Sequence, residues 1–407
     1  MPPSKSQTIR ALFCAALAEG TSTIHNPLVS DDTLAALRVL RQLGADISIE
    51  GNIWRVRGGN LQASGQELHC GESATTMRFL ISVCTCLPGR HVITGGPSLL
   101  QRPVSALVRA LQQADIKITT MHDNSPPVII EGDTFRTVEV SLPGDISSQY
   151  ISGLMLAAPL TENGLILRLT TPPVSKPYLE MTIDMLRRFG VTVDALPQKF
   201  VIPHQIYHPA EVAIESDWSS ASYFVALGAV SSQGITITSI NPESLQADRA
   251  VLDIVRQMGA SVAVDDNAVT VSRAYLKPIR VNLTNCIDLL PTAGVLSALA
   301  DGASELNGIA AGRLKESNRV AAVREGLERL GVSVTEETDK LIIRGPLSAG
   351  QRVSINSYDD HRIAMAFAVP GAVRGDVIIE RGECVSKTFP DFWPALQNTG
   401  VEMEILP

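Results

Sequence analysis

The stretch Leu40-Arg-Gln-Leu-Gly44, continued by Ala45-Asp-Ile-Ser-Ile49, reads as the end of an amphipathic helix, a glycine stop and a strand. Glycine past the last helical turn tolerates the left-handed backbone that ends a helix. The same succession returns along the chain. Leu111-Gln-Gln-Ala114 runs into Asp115-Ile-Lys-Ile118, Leu186-Arg-Arg-Phe-Gly190 into Val191-Thr-Val193, and Val255-Arg-Gln-Met-Gly259 into Ala260-Ser-Val-Ala-Val264. Leu327-Glu-Arg-Leu-Gly331 runs into Val332-Ser-Val334, and Leu396-Gln-Asn-Thr-Gly400 into Val401-Glu-Met-Glu-Ile405. The anchors at 44, 114, 190, 259, 331 and 400 lie about 70 residues apart, which marks a repeated supersecondary unit. Ala114 breaks the glycine pattern, so its helix must stop by another device. After most anchors a short polar turn leads to a second strand, as in Val262-Ala-Val-Asp-Asp-Asn-Ala-Val-Thr-Val271, which reads as a hairpin.

A second series runs in step with the first. Small polar residues open helices at Ser4-Lys-Ser6, Glu72-Ser-Ala-Thr-Thr76, Ser147-Ser-Gln149, Ser219-Ser-Ala-Ser222 and Asp359-Asp-His-Arg362, and Asp288 begins the remaining one. Each precedes an apolar run on one helical face. Taken singly, such Ser, Thr and Asp residues are helix caps. Taken as a series, they place several helix N-termini on equivalent sides of equivalent units. Unpaired N–H groups and the helix dipole there attract phosphate and carboxylate.

The chain has 407 residues, too many for one core and about right for two domains. Hydrophobic residues at 45% against 19% charged argue for a folded protein, and aromatics at 4% for an aliphatic core. A net charge of −8, with a pI near 5.5, disfavours nucleic-acid binding. A local cluster of Lys and Arg can still bind small anions. Cys14, Cys70, Cys84, Cys86, Cys286 and Cys384 form no C-x-x-C pair; reduced, buried thiols and a cytoplasmic location are expected. No signal segment and no membrane-length apolar run is present.

Cations cluster at or near the helix starts: Lys5, Arg10, Arg78, Arg102, Lys315, Arg319, Arg362 and Lys387. Arg78 lies in the apolar stretch Met77-Arg-Phe-Leu-Ile81, so it calls for an anion or a buried carboxylate as partner. The acid/base candidates are Asp217, Asp288, Glu316, Asp359, Asp360 and His361. Asp288, within Cys286-Ile-Asp-Leu-Leu-Pro291, either caps a helix or is held for proton transfer. No metal-ligand spacing, P-loop or dinucleotide glycine fingerprint appears. The residues thus point to an enzyme enclosing small, multiply anionic metabolites between two repeated halves.

Six motifs sharpen this. Pro3-Ser-Lys-Ser6 with Arg10, Ser147-Ser-Gln149, Val174-Ser-Lys-Pro-Tyr178, Leu314-Lys-Glu-Ser-Asn-Arg319, Tyr358-Asp-Asp-His-Arg362 and Ser386-Lys-Thr-Phe-Pro390 follow in order over nearly the whole chain. Together the motifs resemble those of the EPSP synthases, the 3-phosphoshikimate 1-carboxyvinyltransferases of the enolpyruvyl transferase family. The resemblance implies an α+β fold of two domains, each with three β-α-β-α-β-β units and helix N-termini facing the interdomain cleft. One domain would span residues 8–215, and the other residues 1–7 with 216–407. It implies transfer of the enolpyruvyl group of phosphoenolpyruvate to shikimate 3-phosphate, by a monomer without metal or organic cofactor.

By matching motif, Lys5, Ser6, Arg10, Ser147, Ser148, Gln149, Ser175, Tyr178, Asp288 and Lys315 would meet shikimate 3-phosphate. Lys5, Ala74, Arg102, Gln149, Arg319, His361, Arg362 and Lys387 would meet phosphoenolpyruvate. Asp288 would accept the proton of the attacking hydroxyl, and Glu316 would protonate the methylene carbon, with Lys5 close to both. Ala74 stands where many members have Gly, which implies a narrower donor pocket and weak inhibition by glyphosate. Ala311 stands where many have an Asn on the shikimate phosphate, by substitution or through an insertion that shifts the match. Members also carry a strand before the segment Met1-Pro-Pro-Ser-Lys5, so either the last unit lacks one strand or the start of this sequence is internal. Two other readings remain. A UDP-N-acetylglucosamine enolpyruvyl transferase usually has a reactive Cys in the loop that here reads Gly95-Gly-Pro-Ser-Leu-Leu-Gln-Arg102. A non-catalytic anion-binding relative would have no need to keep Lys5, Asp288 and Glu316.

Overall fold

The computed structural model describes residues 1–122, 124–348 and 350–406. Its fold is α+β, and the chain divides into two units: Pro3–Glu215, and Met1–Pro2 together with Ser216–Pro407. Residues 3–7, which the resemblance would count with the second unit, are tied into Pro3–Glu215. The Ser4 amide donates to the Glu215 carbonyl at 2.7 Å, and Lys5 pairs with Asp32 at 2.8 Å.

In the Pro3–Glu215 unit three repeats are complete. The second shows the plan: strand Glu67–His69, buried helix Ala74–Val83, strand Gly89–Thr94, outer helix Ser105–Gln113, then the hairpin Lys117–His122 and Ser125–Gly132. The first two of those strands are parallel and the hairpin is antiparallel, because a parallel pair needs a crossover helix whereas a hairpin needs only a turn. The third repeat follows the same plan around helix Ser148–Ala157. In the first repeat, helix Lys5–Leu17 leads into strand Gly20–His25, which is paired in parallel by Glu211–Ala213 from the end of the unit.

The Ser216–Pro407 unit repeats the plan around helices Trp218–Val230, Leu290–Leu299 and His361–Arg374. Among the described residues its sheets have three, four and two strands. The expected strand 401–405 is not formed; residues 401–406 are mostly exposed coil.

The six inner helices are buried on nearly every side, as elements enclosed by other elements must be. Ile9, Leu12, Phe13, Phe79, Leu80, Ile151 and Leu154 form one core, with Phe13 and Phe79 edge to face at 5.4 Å. Close approach demands glycine at Gly153: a Cβ there would sit 2.8 Å from the Arg78 carbonyl oxygen.

The helix stops are as read, with one substitution. Gly44, Gly190, Gly259, Gly331 and Gly400 all have positive φ, whereas at the second anchor the left-handed residue is Asp115 (φ 61°) rather than Ala114. Aspartate is among the few non-glycine residues that tolerate this region.

Candidate active site

Each unit gathers its own set of polar side chains at the starts of its inner helices. In Pro3–Glu215, Lys5 occupies the first turn of its helix, and its ammonium reaches the Asp32 carboxylate. Asp32 lies in the first turn of helix Asp31–Gln42, whose N-cap Ser30 forms a capping box with Thr33. Both partners are buried, so removing either leaves a desolvated charge.

Arg10, one turn beyond Ser6, is buried beside the aromatic ring of Phe79 at 5.4 Å. Its guanidinium donates to the Thr182 hydroxyl (2.8 Å) and to the carbonyls of Ser6 (2.9 Å) and Tyr178 (3.2 Å). Burial pulls its pKa down to about 10, so it stays charged near neutrality. Three of its five N–H groups are taken, which leaves two for a carboxylate.

Arg78 meets polar groups of the next repeat. It donates to the Gln149 amide oxygen at 2.5 Å and to the Ser147 hydroxyl at 3.4 Å, and it lies over the Tyr150 ring. These contacts tie it to the start of the neighbouring helix. The other end of the Gln149 amide donates to Thr75 at 2.9 Å, so both ends of that side chain are set. Ser147 caps the helix by accepting from the Gln149 N–H, and Ser148 is buried beside it.

Ser175 precedes helix Lys176–Arg188 in a left-handed conformation (φ 53°, ψ 43°). For a non-glycine residue this is strained backbone of the kind that clusters at functional sites. The Tyr178 N–H donates back to its carbonyl at 3.0 Å. Ala74 opens the second inner helix, and Arg102 is buried at the end of the 95–102 loop. That loop is ordered by Glu72, whose carboxylate accepts the N–H of Leu99 at 2.8 Å and of Ser98 at 3.4 Å. A Cβ at Gly96 would meet Glu72 Oε1 at 2.1 Å, so a larger residue there would have to displace the carboxylate that orders the loop.

In Ser216–Pro407 the centre is Arg319, fully buried. Its guanidinium reaches Asp288 (2.7 Å), Glu316 (2.6 Å) and both oxygens of Asp360 (2.8 and 3.2 Å). Asp360 also accepts from the Ser317 hydroxyl and caps helix His361–Arg374 through the Arg362 N–H. Asp288 sits in the turn Ile287–Leu289, while the N-cap of the following helix is Leu289. Both Asp288 oxygens face cations: Arg319 and Lys315 (3.1 Å) on one, Arg362 (3.1 Å) on the other.

Burial alone would raise Asp288, but Arg362, Lys315 and Arg319 hold its carboxyl well below the ordinary range. Burial likewise draws Lys315 down, although Asp288 opposes it. Arg319 moves the other way: burial works against its charge, yet Asp360, Glu316 and Asp288 together raise it.

The remaining sequence candidates separate clearly. Asp217 caps helix Trp218–Val230 through the Ser220 N–H at 2.7 Å. Asp359 is exposed and pairs with Arg381. His361 is buried, 3.8 Å from Asp360. Lys387 is buried in the turn Gly382–Lys387. Ala311 lies in the turn Ala310–Leu314 ahead of Lys315. The sequence reading missed Asp32, Asp248 and the positioning role of Glu72.

Buried cations and carboxylates at helix starts, in two units of the same repeat, define a protein built to handle small anions. Comparison with known proteins gives the family: the EPSP synthase (3-phosphoshikimate 1-carboxyvinyltransferase) model matches residues 1–396, and the chain belongs to that family. It is similar to a 3-phosphoshikimate 1-carboxyvinyltransferase from Dehalococcoides mccartyi, 46% identical over 98% of this chain and 95% of that one. One from Methanocaldococcus jannaschii is 37% identical over 99% of this chain and 96% of that one. Among solved structures, an EPSP synthase from Acinetobacter baumannii superposes with a TM-score of 0.81 at 28% identity, covering 100% of this chain and 96% of the other.

Proposed function

We propose that this protein transfers the enolpyruvyl group of phosphoenolpyruvate to the 5-hydroxyl of shikimate 3-phosphate, releasing phosphate. The observation that carries the reading is the Arg319 cluster, in which Asp288 and Glu316 take separate nitrogens of one guanidinium. The reaction needs two proton transfers, one from the attacking hydroxyl and one to the methylene carbon. Two carboxylates in opposite protonation states can divide that work.

Asp288 is the base in this reading. In the free protein its charge is balanced by Lys315, Arg319 and Arg362. The two substrates together bring about five to six negative charges, given a second phosphate pKa near 6. As those charges draw on the cations, Asp288 loses its counter-charge and becomes a stronger base. The same arrival beside Arg319 favours a proton on Glu316, the acid. Cations and helix ends already in place stabilise the charge that develops.

Shikimate 3-phosphate is assigned to Lys5, Ser6, Arg10, Ser147, Ser148, Gln149, Ser175, Tyr178, Asp288 and Lys315. The two remaining Arg10 N–H groups suit its carboxylate. Phosphoenolpyruvate is assigned to Lys5, Ala74, Arg102, Gln149, Arg319, His361, Arg362 and Lys387. The reading calls for no cofactor and takes the protein as a cytoplasmic monomer; the free thiols, pushed up in pKa by burial at Cys14, Cys70 and Cys84, suit a reducing compartment.

Two results test the assignments. Glu316→Gln removes the acid and should lower kcat by roughly a hundredfold or more, while shikimate 3-phosphate still binds in calorimetry. Near-normal turnover would remove Glu316 from that role. Ala74 is buried at the first position of its helix, where its methyl narrows the donor side. Ala74→Gly should therefore increase inhibition by glyphosate at fixed phosphoenolpyruvate. Potent competitive inhibition of the unaltered protein would count against that placement.

A further inference from the structure

We propose that Asp248 is a positioning residue, holding the Arg362 guanidinium for the anionic donor while Asp288 acts on the acceptor. The inference rests on the reaction proposed above and adds a residue to which no role is given there.

Arg362 is shared between two carboxylates. One terminal nitrogen lies 3.1 Å from Asp288 and the other 3.8 Å from Asp248. If Asp288 takes a proton from the acceptor, its hold on Arg362 weakens. A second, independent anion is then needed to keep the guanidinium in place. Asp248 is 1% exposed, and among the described residues its only hydrogen bond is accepted from the Ser219 hydroxyl. Its second oxygen has no hydrogen-bond partner among them. A buried carboxylate that meets so few donors costs stability, so its presence here asks for another explanation than folding.

The repeat supplies that explanation. Asp248 follows Asn241-Pro-Glu-Ser-Leu-Gln-Ala, and Asp32 follows Asn26-Pro-Leu-Val-Ser-Asp. These are corresponding loops in the first repeat of each unit, between the strand and the outer helix. Asp32 is also buried, also has one oxygen without a hydrogen-bond partner among the described residues, and also holds a cation, Lys5 at 2.8 Å. Lys5 and Arg362 are both assigned to phosphoenolpyruvate. The duplicated architecture has thus placed one buried acid behind one donor-binding cation in each unit.

The groups facing Asp248 come from three neighbouring elements. Arg362 projects from helix His361–Arg374. Asp217, Ser219 and Tyr223 come from the start of helix Trp218–Val230, and Cys286 and Asp288 from the turn before helix Leu290–Leu299. On its own turn, Arg249 is engaged with the Pro242 carbonyl. Burial is the main cause that raises Asp248 to about 7, with Asp288 and Asp217 adding to it and Arg362 and Ser219 opposing. Asp248 therefore loses its charge, and its grip on Arg362, as the pH falls below neutrality.

The test is steady-state kinetics of Asp248→Asn beside the wild type, with thermal melting as a check on folding. At pH 8 the variant should show a KM for phosphoenolpyruvate raised about tenfold, the scale of one lost charged contact. Its kcat should stay within about threefold and its KM for shikimate 3-phosphate within about twofold. At pH 6 the ratio of variant to wild-type KM should fall towards one, and Asp248→Glu should recover part of the pH 8 loss. A folded variant with an unchanged KM for phosphoenolpyruvate at pH 8 overturns the proposal. So does a loss spread equally over kcat and both KM values, which marks a structural acid. Absence of turnover in the wild type overturns the reaction itself, and this role with it.

Discussion

Asp288→Asn is expected to lower kcat by roughly a hundred- to ten-thousand-fold, the range for loss of a positioned proton acceptor. The amide has nearly the same shape as the carboxylate but cannot accept a proton at neutral pH. Arg319 would keep Glu316 and Asp360 as partners, so the cluster should hold together. Lys315 and Arg362 would each lose a counter-charge and become freer to meet anions. Binding of shikimate 3-phosphate, measured by calorimetry, should therefore be retained or tightened while turnover collapses. Turnover within a few-fold of the wild type would show that another group accepts the proton.

Arg319→Met is expected to produce the largest loss of stability. It removes the cation from among Asp288, Glu316 and Asp360. Breaking a buried pair by deleting one partner costs about 3–5 kcal/mol, and here three acids lose the same partner. At roughly 2–4 °C per kcal/mol for a domain of this size, the thermal midpoint should fall by about 10 °C. Arg319→Lys keeps the charge but cannot reproduce the planar fork, so it should be less damaging to stability. A midpoint for Arg319→Met within 2 °C of the wild type, roughly the effect of 1 kcal/mol or less, would mean that the acids find other counter-charges.

The fold was legible where one residue type decides the backbone. Gly44, Gly190, Gly259, Gly331 and Gly400 each end a helix with positive φ, and their spacing gives the repeat. Legibility failed where a side chain replaced a backbone partner. Val191-Thr-Val193 has the composition of a strand, but both the N–H and the hydroxyl of Thr192 donate to the Gln205 amide oxygen at 2.9 Å. The Gln205 amide returns a bond to the Thr192 carbonyl at 3.0 Å, and strand pairing begins only at Asp194. Residues 401–405 have a strand composition too, but no hairpin partner among the described residues.

For the site, the sequence showed residue types at helix starts and not who meets whom. The apolar neighbours of Arg78 called for a polar partner without naming it. Ser147 and Gln149, which it meets, come from the next repeat and are far away in sequence. Asp32 and Asp248 were missed because acids near an outer helix start read as ordinary caps. The paired Asn-Pro…Asp loops beginning at Asn26 and Asn241 were the available signal, visible only once the two halves are aligned on their repeats. Asp360 shows that a cap and a functional group need not be alternatives: it caps its helix and also anchors Arg319.

The most direct measurement is phosphate release from phosphoenolpyruvate by the purified protein, with shikimate 3-phosphate and then UDP-N-acetylglucosamine as acceptor. The proposed function predicts release with the first alone, matched by formation of its enolpyruvyl ether. No release with shikimate 3-phosphate, or release with the UDP-sugar in its place, would contradict it.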